Sequence, residues 1–184
     1  MSDRLHGELK KLIKTRFVES EVASSFLRRL QKGKFSRDEN PLTHFCVYFA
    51  AFDPKTQNLF LGHHIKSGKW LFNGGHIDEG ETTGETLERE VGEEWGLALD
   101  PQQVIGPSLL TITTITRPSR VRCLRHYDIW YFISLQENLF RPDQEKLAIE
   151  FYTTGWTPHA QSLRLVNDPS TLTAIEHIRS DLFL

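Results

Sequence analysis

Three glutamates in the middle of the chain have the residue type and the spacing to bind a metal ion together. Glu90, Glu93 and Glu94 follow one another at i, i+3 and i+4, which places three carboxylates on one face of a helix. Like charges at this spacing cost roughly a few tenths of a kcal/mol per pair, unless a cation neutralises them. Oxygen ligands suit hard ions, so the pattern predicts Mg²⁺, with Mn²⁺ as a substitute. For an isolated E-x-x-E-E pattern, a solvated acidic helix face is the alternative.

The residues around these glutamates predict the helix that positions them. Thr82 followed by Glu85 forms a capping box, and Gly96 supplies a left-handed residue that ends the helix. We therefore expect a helix from about residue 83 to 95. Its opposite face carries large apolar side chains at helical spacing, which predicts packing against the core: Leu87, Val91 and Trp95.

A glycine pair precedes the helix. Residues 70–75 (WLFNGG) predict a short strand that leads into a glycine turn. Glycines let the backbone approach a ligand closely and present a carbonyl group to a metal. The turn and the helix are thus two candidate halves of one site.

The segment 75–97, GHIDEGETTGETLEREVGEEWGL, has the pattern G-x5-E-x7-R-E-U-x-E-E-x-G-U, where U is a bulky aliphatic residue. Without a gap, it resembles the signature box of the Nudix hydrolases, enzymes that cleave nucleoside diphosphates linked to another moiety. The box positions are Gly75, Glu81, Arg89, Glu90, Val91, Glu93, Glu94, Gly96 and Leu97. Inside this full box, metal binding is favoured over a solvated acidic face.

The resemblance implies a set of metal ligands. The carbonyl oxygen of Gly74 would bind the metal beside Glu90 and Glu94, and Glu93 would do so directly or through water. Arg89 would orient a box glutamate.

The resemblance also implies a scaffold role for Glu81, which would hold the loop against the helix. Many relatives have proline before the glycine pair, whereas this chain has Asn73. Asparagine tolerates turn geometry, so we expect the loop to keep its shape.

Nudix enzymes commonly recruit a further carboxylate from beyond the helix, as a metal ligand or a general base. The candidates here are Asp143, Glu145 and Glu150. Glu150 is the first choice because it lies at the edge of a predicted strand that should border the cleft. An ordinary surface carboxylate is the alternative.

Basic side chains suggest where the substrate binds. Arginines crowd one loop and the strand that follows it, at Arg117, Arg120, Arg122 and Arg125. Guanidinium groups match phosphate oxygens in pairs, so Arg120 and Arg122 are predicted to bind phosphate, with a solvated loop as the alternative. His76 is predicted to line the cleft. The histidines at 63, 64, 76 and 126 lack zinc-site spacing or a cysteine partner, so no zinc site is expected.

Composition limits the class of protein. A chain of 184 residues with 39% hydrophobic and 25% charged content suits one globular domain with room for an appendage. A net charge of −2 disfavours a dedicated binder of long nucleic acids. The two cysteines, each inside a predicted strand, suggest buried thiols in a reducing compartment. The N-terminus has neither signal-peptide nor membrane-span character, so a cytoplasmic location is the default expectation.

The order of predicted elements indicates an α/β fold. Residues 4–32 predict two helices or one kinked helix, because the apolar stripe changes phase near residues 19–20. Strands are then predicted at 44–52, 59–65, 104–114, 123–135 and 148–156, and a last helix opens at 167–169. The resemblance sharpens this to a Nudix α/β/α sandwich with a mixed sheet.

We expect an N-terminal helical extension over residues 1–40 and a Nudix hydrolase domain over residues 41–184. The extension is expected to pack on the domain. A dimer contact, which would make the protein a homodimer, and a cover for the substrate cleft are the alternatives.

The leading hypothesis is Mg²⁺-dependent hydrolysis of the phosphoanhydride bond of a small nucleotide derivative. Water would attack phosphorus, and Glu93 or Glu150 would take its proton, while Arg89 and Glu94 complete the predicted catalytic set. A ligand-binding module without turnover is the alternative, and isomerase or decapping chemistry is a third possibility. The box does not identify the base, the sugar or the leaving group. No membrane partner is expected.

Overall fold

The structure is a computed structural model that describes residues 2–17, 20–115 and 123–183. The helices are α1 (Ser2–Arg16), α2 (Glu21–Leu30), α3 (Thr83–Glu94), α4 (Gln144–Glu150), α5 (His159–Leu165) and α6 (Pro169–His177), which continues as a π-helical turn, Ile178–Leu182. The strands are β1 (Thr43–Asp53), β2 (Asn58–His64), β3 (Trp70–Leu71), β4 (Asn73–His76), β5 (Val104–Thr114), β6 (Arg125–Ser134) and β7 (Phe151–Pro158). A 3₁₀ turn, Pro101–Gln103, precedes β5.

Across the described residues these strands form one seven-stranded mixed sheet. β1 runs parallel to β6 along nearly its whole length, and the other pairings are antiparallel. The far edge of β1 is divided between two partners: β4 pairs with residues 46–49 in its middle, and β2 pairs with its last two residues. This division brings the glycine pair in β4 to the middle of the sheet.

Helices cover both faces of the sheet, because alternate side chains of each strand point to opposite faces. On one face, α1, α2 and α3 pack on the odd-numbered residues of β1, Phe45, Val47, Phe49 and Ala51. On the other face, α6 and its π turn pack on Ala50 and Phe52 of β1 and on Trp130 and Phe132 of β6. The predicted α/β/α sandwich with a mixed sheet is confirmed.

The N-terminal helices belong to the same core as the sheet. Leu9 and Ile13 of α1 and Phe26 of α2 are fully buried in the cluster that also contains the apolar face of α3. The predicted break between two helices is confirmed, since α1 ends at Arg16 and α2 begins at Glu21, capped by Ser20. The domain boundary at residue 40 stays a prediction.

A polar contact fixes α1 to the start of α3. Glu8 accepts a hydrogen bond from the backbone N–H of Thr83, 3.1 Å away, and another from its hydroxyl group. The same hydroxyl is 2.7 Å from the Tyr131 hydroxyl of β6. Thr83 is fully buried, so Glu8 satisfies polar groups that water cannot reach and places a carboxylate at the positive end of α3.

Three details of the sequence prediction are wrong. Residues 148–150 form the last turn of α4 and not the start of a strand, because Asp143 caps a helix by accepting from the N–H groups of Glu145 and Lys146. Helix α5 was not predicted, and it has no side-chain cap to signal it. Cys123 precedes β6 instead of lying in it. Both thiols are buried and free, as predicted.

No helix of the described residues is both long and apolar enough to cross a membrane.

The contact between α1 and α3 predicts a measurable stability difference. Glu8→Ala removes the acceptor for two donors of Thr83 and should lower the free energy of unfolding by about 1–3 kcal/mol. Urea denaturation followed by circular dichroism measures it. Lys10→Ala, at an exposed position on the same helix, is the control and should change stability by no more than about 0.5 kcal/mol. Equal stability of the two variants would contradict the contact.

Candidate active site

Helix α3 has the ends and the faces that its sequence predicts. Glu85 accepts from the N–H of Thr82 at 2.8 Å, while its own N–H donates to the Thr82 hydroxyl, which completes the capping box. Gly96 follows the helix at φ +67°. Leu87, Val91 and Trp95 are buried in the core. The face that carries the glutamates is therefore turned toward β4.

The glycine pair packs directly against the glutamates. A side chain at Gly75 would place its Cβ 1.9 Å from Oε1 of Glu90, and one at Gly74 would lie 2.5 Å from the carbonyl oxygen of Val47. Gly74 also has φ +155°. Gly74 excludes a larger residue, because its Cβ would meet backbone atoms, whereas a Cβ at Gly75 would displace the carboxylate of Glu90, which rests on bare backbone.

Glu94 is held by the turn itself. The N–H of Gly74 donates to its Oε1 at 3.0 Å, and the Asn73 side-chain amide donates to its Oε2. Asn73 is 1% exposed. The residue that departs from the pattern of many relatives is thus a direct partner of a box glutamate, which the sequence prediction missed.

Arg89 joins the other acidic side chains of the box. Its Nη1 donates to Glu90 at 2.7 Å and to Glu93 at 3.1 Å, and its Nε donates to Glu81 at 2.8 Å. Its Nη2 donates to the carbonyl oxygen of His76 at 2.9 Å. One guanidinium therefore connects the helix, the loop before it and the end of β4.

Burial is the largest influence on the pKa values of the box glutamates Glu81, Glu90 and Glu94. Burial, reinforced by the charge of Glu90, raises the pKa of Glu94 to about 8. Burial also raises the pKa of Glu90, against the opposing effect of Arg89. Burial alone would raise the pKa of Glu81 as well, but hydrogen bonds from Arg89 and Thr86 bring it below its usual value. A cation beside Glu90 and Glu94 would stabilise their charged forms.

The carboxylates of the three box glutamates fit a hard divalent cation in their chemistry, although they do not converge on one point. Only oxygen donors are available from Glu90, Glu93 and Glu94, which suits Mg²⁺ or Mn²⁺. Among the described residues, however, the ligand atoms of these three glutamates do not all lie within 4.8 Å of one another. Arg89 lies between Glu90 and Glu93, and both Glu94 oxygens are hydrogen-bonded.

Glu150 lies near the box but is already paired. Its Oε2 is 3.1 Å from Nε2 of His64, and its Oε1 accepts from Lys66 at 2.7 Å. The hydrogen bond from His64 is the largest of the effects that lower the pKa of Glu150 to about 2. Its charge contributes to raising the pKa of Glu94. Among the predicted late carboxylates, Asp143 caps α4 and Glu145 is exposed.

Only some of the other residues predicted to bind substrate lie in the part of the chain that the structure describes. Arg117, Arg120 and Arg122 lie outside the described residues, and Arg125 is exposed at the start of β6. The ring of His76 lies 4.7 Å from the ring of His44 and 5.2 Å from that of His126. The structure thus places His76 in a group of histidines at the ends of three strands.

The sequence is similar to one family. The model of the NUDIX domain matches residues 25–174, so the chain belongs to the Nudix family. Its fold, its box and this membership identify an enzyme of the pyrophosphohydrolase class that acts on nucleotide derivatives. No curated protein sequence matches the chain.

Solved structures share the fold at low sequence identity. The dihydroneopterin triphosphate pyrophosphohydrolase of E. coli is 20% identical, with a TM-score of 0.61 over 72% of this chain and 92% of that one. An Ap4A hydrolase of C. elegans is 11% identical, with a TM-score of 0.53 over 74% and 97%. NrtR of Shewanella oneidensis, solved with a 27mer DNA, is 21% identical, with a TM-score of 0.54 over 75% and 61%. At these identities the likeness concerns the fold alone.

The pairing of Glu150 predicts a pH-dependent contribution to stability. Its pKa is about 2 in the folded protein and about 4.3 in an unfolded chain. Because the folded pKa is the lower one, the stabilisation is present above about pH 4.3 and is lost as the pH falls toward about 2. Glu150→Gln should therefore lower stability by about 1–2 kcal/mol at pH 6, after allowance for partial exposure.

Urea denaturation of Glu150→Gln at pH 6 and at pH 3 measures this difference. The gap between the variant and the wild type should narrow at the lower pH. Glu145→Gln, an exposed carboxylate on the same helix, is the control. A gap that stays constant between the two pH values would contradict the ion pair.

Proposed function

We propose that this protein hydrolyses the phosphoanhydride bond of a nucleoside diphosphate linked to another moiety, with Mg²⁺ as its cofactor. The observation that carries the proposal is the packing of two buried carboxylates, Glu90 and Glu94, against the glycine pair. Burying two acidic side chains against bare backbone is unfavourable for a purely structural helix, and the ion pair of Arg89 with Glu90 offsets only part of that cost.

Glu90, Glu93 and Glu94, with the carbonyl oxygen of Gly74, would hold the ion. When bound, Mg²⁺ neutralises the diphosphate oxygens and lowers the pKa of a coordinated water molecule. Mn²⁺ shares this oxygen preference and should substitute.

The surrounding side chains have distinct proposed roles. Arg89 orients Glu90 and ties the helix to the loop through Glu81. Glu93, whose side chain is 60% exposed, is the carboxylate best placed to take a proton from the attacking water. Glu150 is a weaker general base, because His64 and Lys66 occupy its oxygens and keep its pKa far below neutrality.

The substrate is proposed to be a small nucleotide and not a long nucleic acid. Its products would be a nucleoside monophosphate and a phosphorylated remainder, or pyrophosphate if the substrate is a triphosphate. Arg120 and Arg122 stay predicted phosphate contacts. His76 is less suited to contact substrate, because its ring packs against two other histidine rings.

A substrate panel with a conservative variant tests the proposal. Glu94→Gln keeps the size of the side chain but removes its charge, and should reduce turnover with Mg²⁺ by roughly 100-fold or more. The fold should survive, because a neutral amide is easier to bury than a carboxylate. Release of phosphate-containing products from a panel of nucleoside diphosphate derivatives and nucleoside triphosphates is the measurement.

Glu88→Gln is the matched control, because Glu88 lies on the same helix and is exposed. It should retain wild-type turnover. Glu93→Gln and Glu150→Gln in the same assay assign the general base, and Glu93→Gln should have the larger effect. If Glu94→Gln matches the wild type, the box does not carry the chemistry. If no compound on the panel is hydrolysed, a Nudix-fold ligand-binding module replaces the enzyme as the better account.

A further inference from the structure

Four potential metal ligands meet at one end of the sheet, apart from the box glutamates. They are His44 at the start of β1, His76 at the end of β4, His126 near the start of β6, and Cys123. One ligand atom from each lies within 4.8 Å of all the others. We refer to these four residues as the histidine–cysteine cluster.

The sheet topology brings these distant residues together. His44 and His126 are direct partners in the parallel pairing of β1 with β6. His76 pairs with Cys46, two residues beyond His44 on the same side of β1. Cys123 is placed by its neighbour Leu124, whose N–H donates to the carbonyl oxygen of Leu42 at 2.9 Å.

The ring of His44 is oriented for ligation. Its Nδ1 lies 3.0 Å from the carbonyl oxygen of Asn40, and a carbonyl can only accept, so Nδ1 carries the proton. The lone pair is therefore on Nε2, which lies 3.6 Å from Sγ of Cys123. A hydrogen bond from the second ring nitrogen to a carbonyl group is the usual support of a metal-binding histidine.

The spacing of these atoms suits a tetrahedral ion. Zn–S and Zn–N bonds of about 2.3 and 2.0–2.1 Å place sulfur and nitrogen about 3.6 Å apart. Cys123 and His44 already have that separation. The other pairs of ligand atoms lie within 4.8 Å of one another, so a pair at that limit would have to close by about 1.2–1.5 Å to bind one tetrahedral ion.

His126 supplies an independent observation that points to a ligand. Both of its ring nitrogens are buried and have no hydrogen-bond partner among the described residues. Oδ1 of Asp128, on the same strand, is also buried and unpartnered, and Asp128 is fully buried. An ion on one nitrogen of His126, with Asp128 accepting from the other, would satisfy all three atoms.

The donor chemistry selects a class of metal that differs from that at the box. Imidazole and thiolate ligands suit Zn²⁺, whereas Mg²⁺ prefers oxygen. His44 and Cys123 are at most 2% exposed, and four protein donors leave no open position for a substrate. Arg37, whose charge helps to lower the pKa of His44 and His126, opposes a cation here. Compensating negative charge would come from the Cys123 thiol, which must lose its proton to bind Zn²⁺.

We propose that His44, His76, Cys123 and His126 bind one structural Zn²⁺ ion. The ion would join β1, β4 and β6 at the end of the sheet where the glycine turn finishes. His76 follows Gly75 directly, and its carbonyl oxygen accepts from Arg89. Zinc would therefore fix the end of the turn that supports the box glutamates. The proposal does not depend on the reaction catalysed at the box.

Cobalt substitution tests the site on the full chain. Metal-free protein is titrated with Co²⁺, and the absorption spectrum is recorded. One equivalent should give the visible bands of tetrahedral Co²⁺ and a thiolate-to-cobalt charge-transfer band, and Zn²⁺ should displace it. Cys123→Ser should abolish the charge-transfer band and weaken Zn²⁺ binding at least roughly tenfold.

Two control variants define the ligand set. Cys46→Ser removes the other buried thiol, and His63→Ala removes a histidine outside the cluster. Both should keep the spectrum of the wild type. If Cys123→Ser does not fold, as judged by circular dichroism, His126→Gln replaces it and should weaken Zn²⁺ binding while keeping the charge-transfer band.

Several outcomes would overturn the proposal. An octahedral spectrum without a charge-transfer band in the wild type would mean that the cluster is an ordinary buried group joined by a thiol–imidazole hydrogen bond. Loss of the charge-transfer band in Cys46→Ser, and not in Cys123→Ser, would show that the metal binds instead at the neighbouring group formed by Cys46, His126 and Asp128. Unchanged Zn²⁺ affinity in both Cys123→Ser and His126→Gln would exclude the four residues as ligands.

Discussion

The desolvation of two carboxylates against a glycine turn is the constraint on which the rest of this structure depends. Glu90 lies on Gly75, and Glu94 accepts a hydrogen bond from the backbone of Gly74. A buried carboxylate is unfavourable unless positive charge or hydrogen bonds compensate for the lost hydration. Arg89 compensates Glu90 by donating a hydrogen bond to its carboxylate, and the side-chain amide of Asn73 donates one to Glu94. The raised pKa of each glutamate shows that this compensation is incomplete.

The rest of the fold holds α3 and β4, the two elements that form this contact, in fixed positions relative to each other. Leu87, Val91 and Trp95 bury the opposite face of α3, so the helix cannot rotate its glutamates away from the turn. Glu8 holds the first turn of α3 from the side of the N-terminal helices. β4 is held in place by its pairing with β1 over four residues.

Local signals in the sequence predicted the helix but not all of its contacts. The capping box, the apolar stripe and Gly96 each act within one or two turns of chain, so their consequences for α3 follow from the sequence. The role of Asn73 depends on a contact with Glu94, 21 residues later, and no local pattern encodes it. The sequence prediction starts β7 at residue 148, too early, because it misses helix α4. The segment before residue 148 is charged and has the composition of a loop, and Asp143 acts as a helix cap only in the folded chain.

Pairing between strands explains the largest omission. His44 and His126 are neighbours because β1 and β6 are parallel partners, and a parallel pairing leaves no spacing signal in the sequence. Cys123 and His126 lie three positions apart, a short spacing of the kind found in zinc motifs. His44 and His76, however, are more than thirty positions from each other and from that pair. The spacing of the histidines along the sequence therefore predicts no zinc site, whereas in the folded chain the rings of His76 and His126 lie 5.2 Å apart.

The claim that the glycine turn and α3 together form the cation site is tested most directly by Mn²⁺ titration. Free Mn²⁺ is measured by electron paramagnetic resonance for the wild type, Gly75→Ala and Gly92→Ala. A Cβ at position 75 would displace the Glu90 carboxylate, whereas one at position 92 meets nothing within 4 Å. We predict that Gly92→Ala binds Mn²⁺ like the wild type and that Gly75→Ala binds it about tenfold more weakly or worse. Equal affinity of all three proteins would contradict the account.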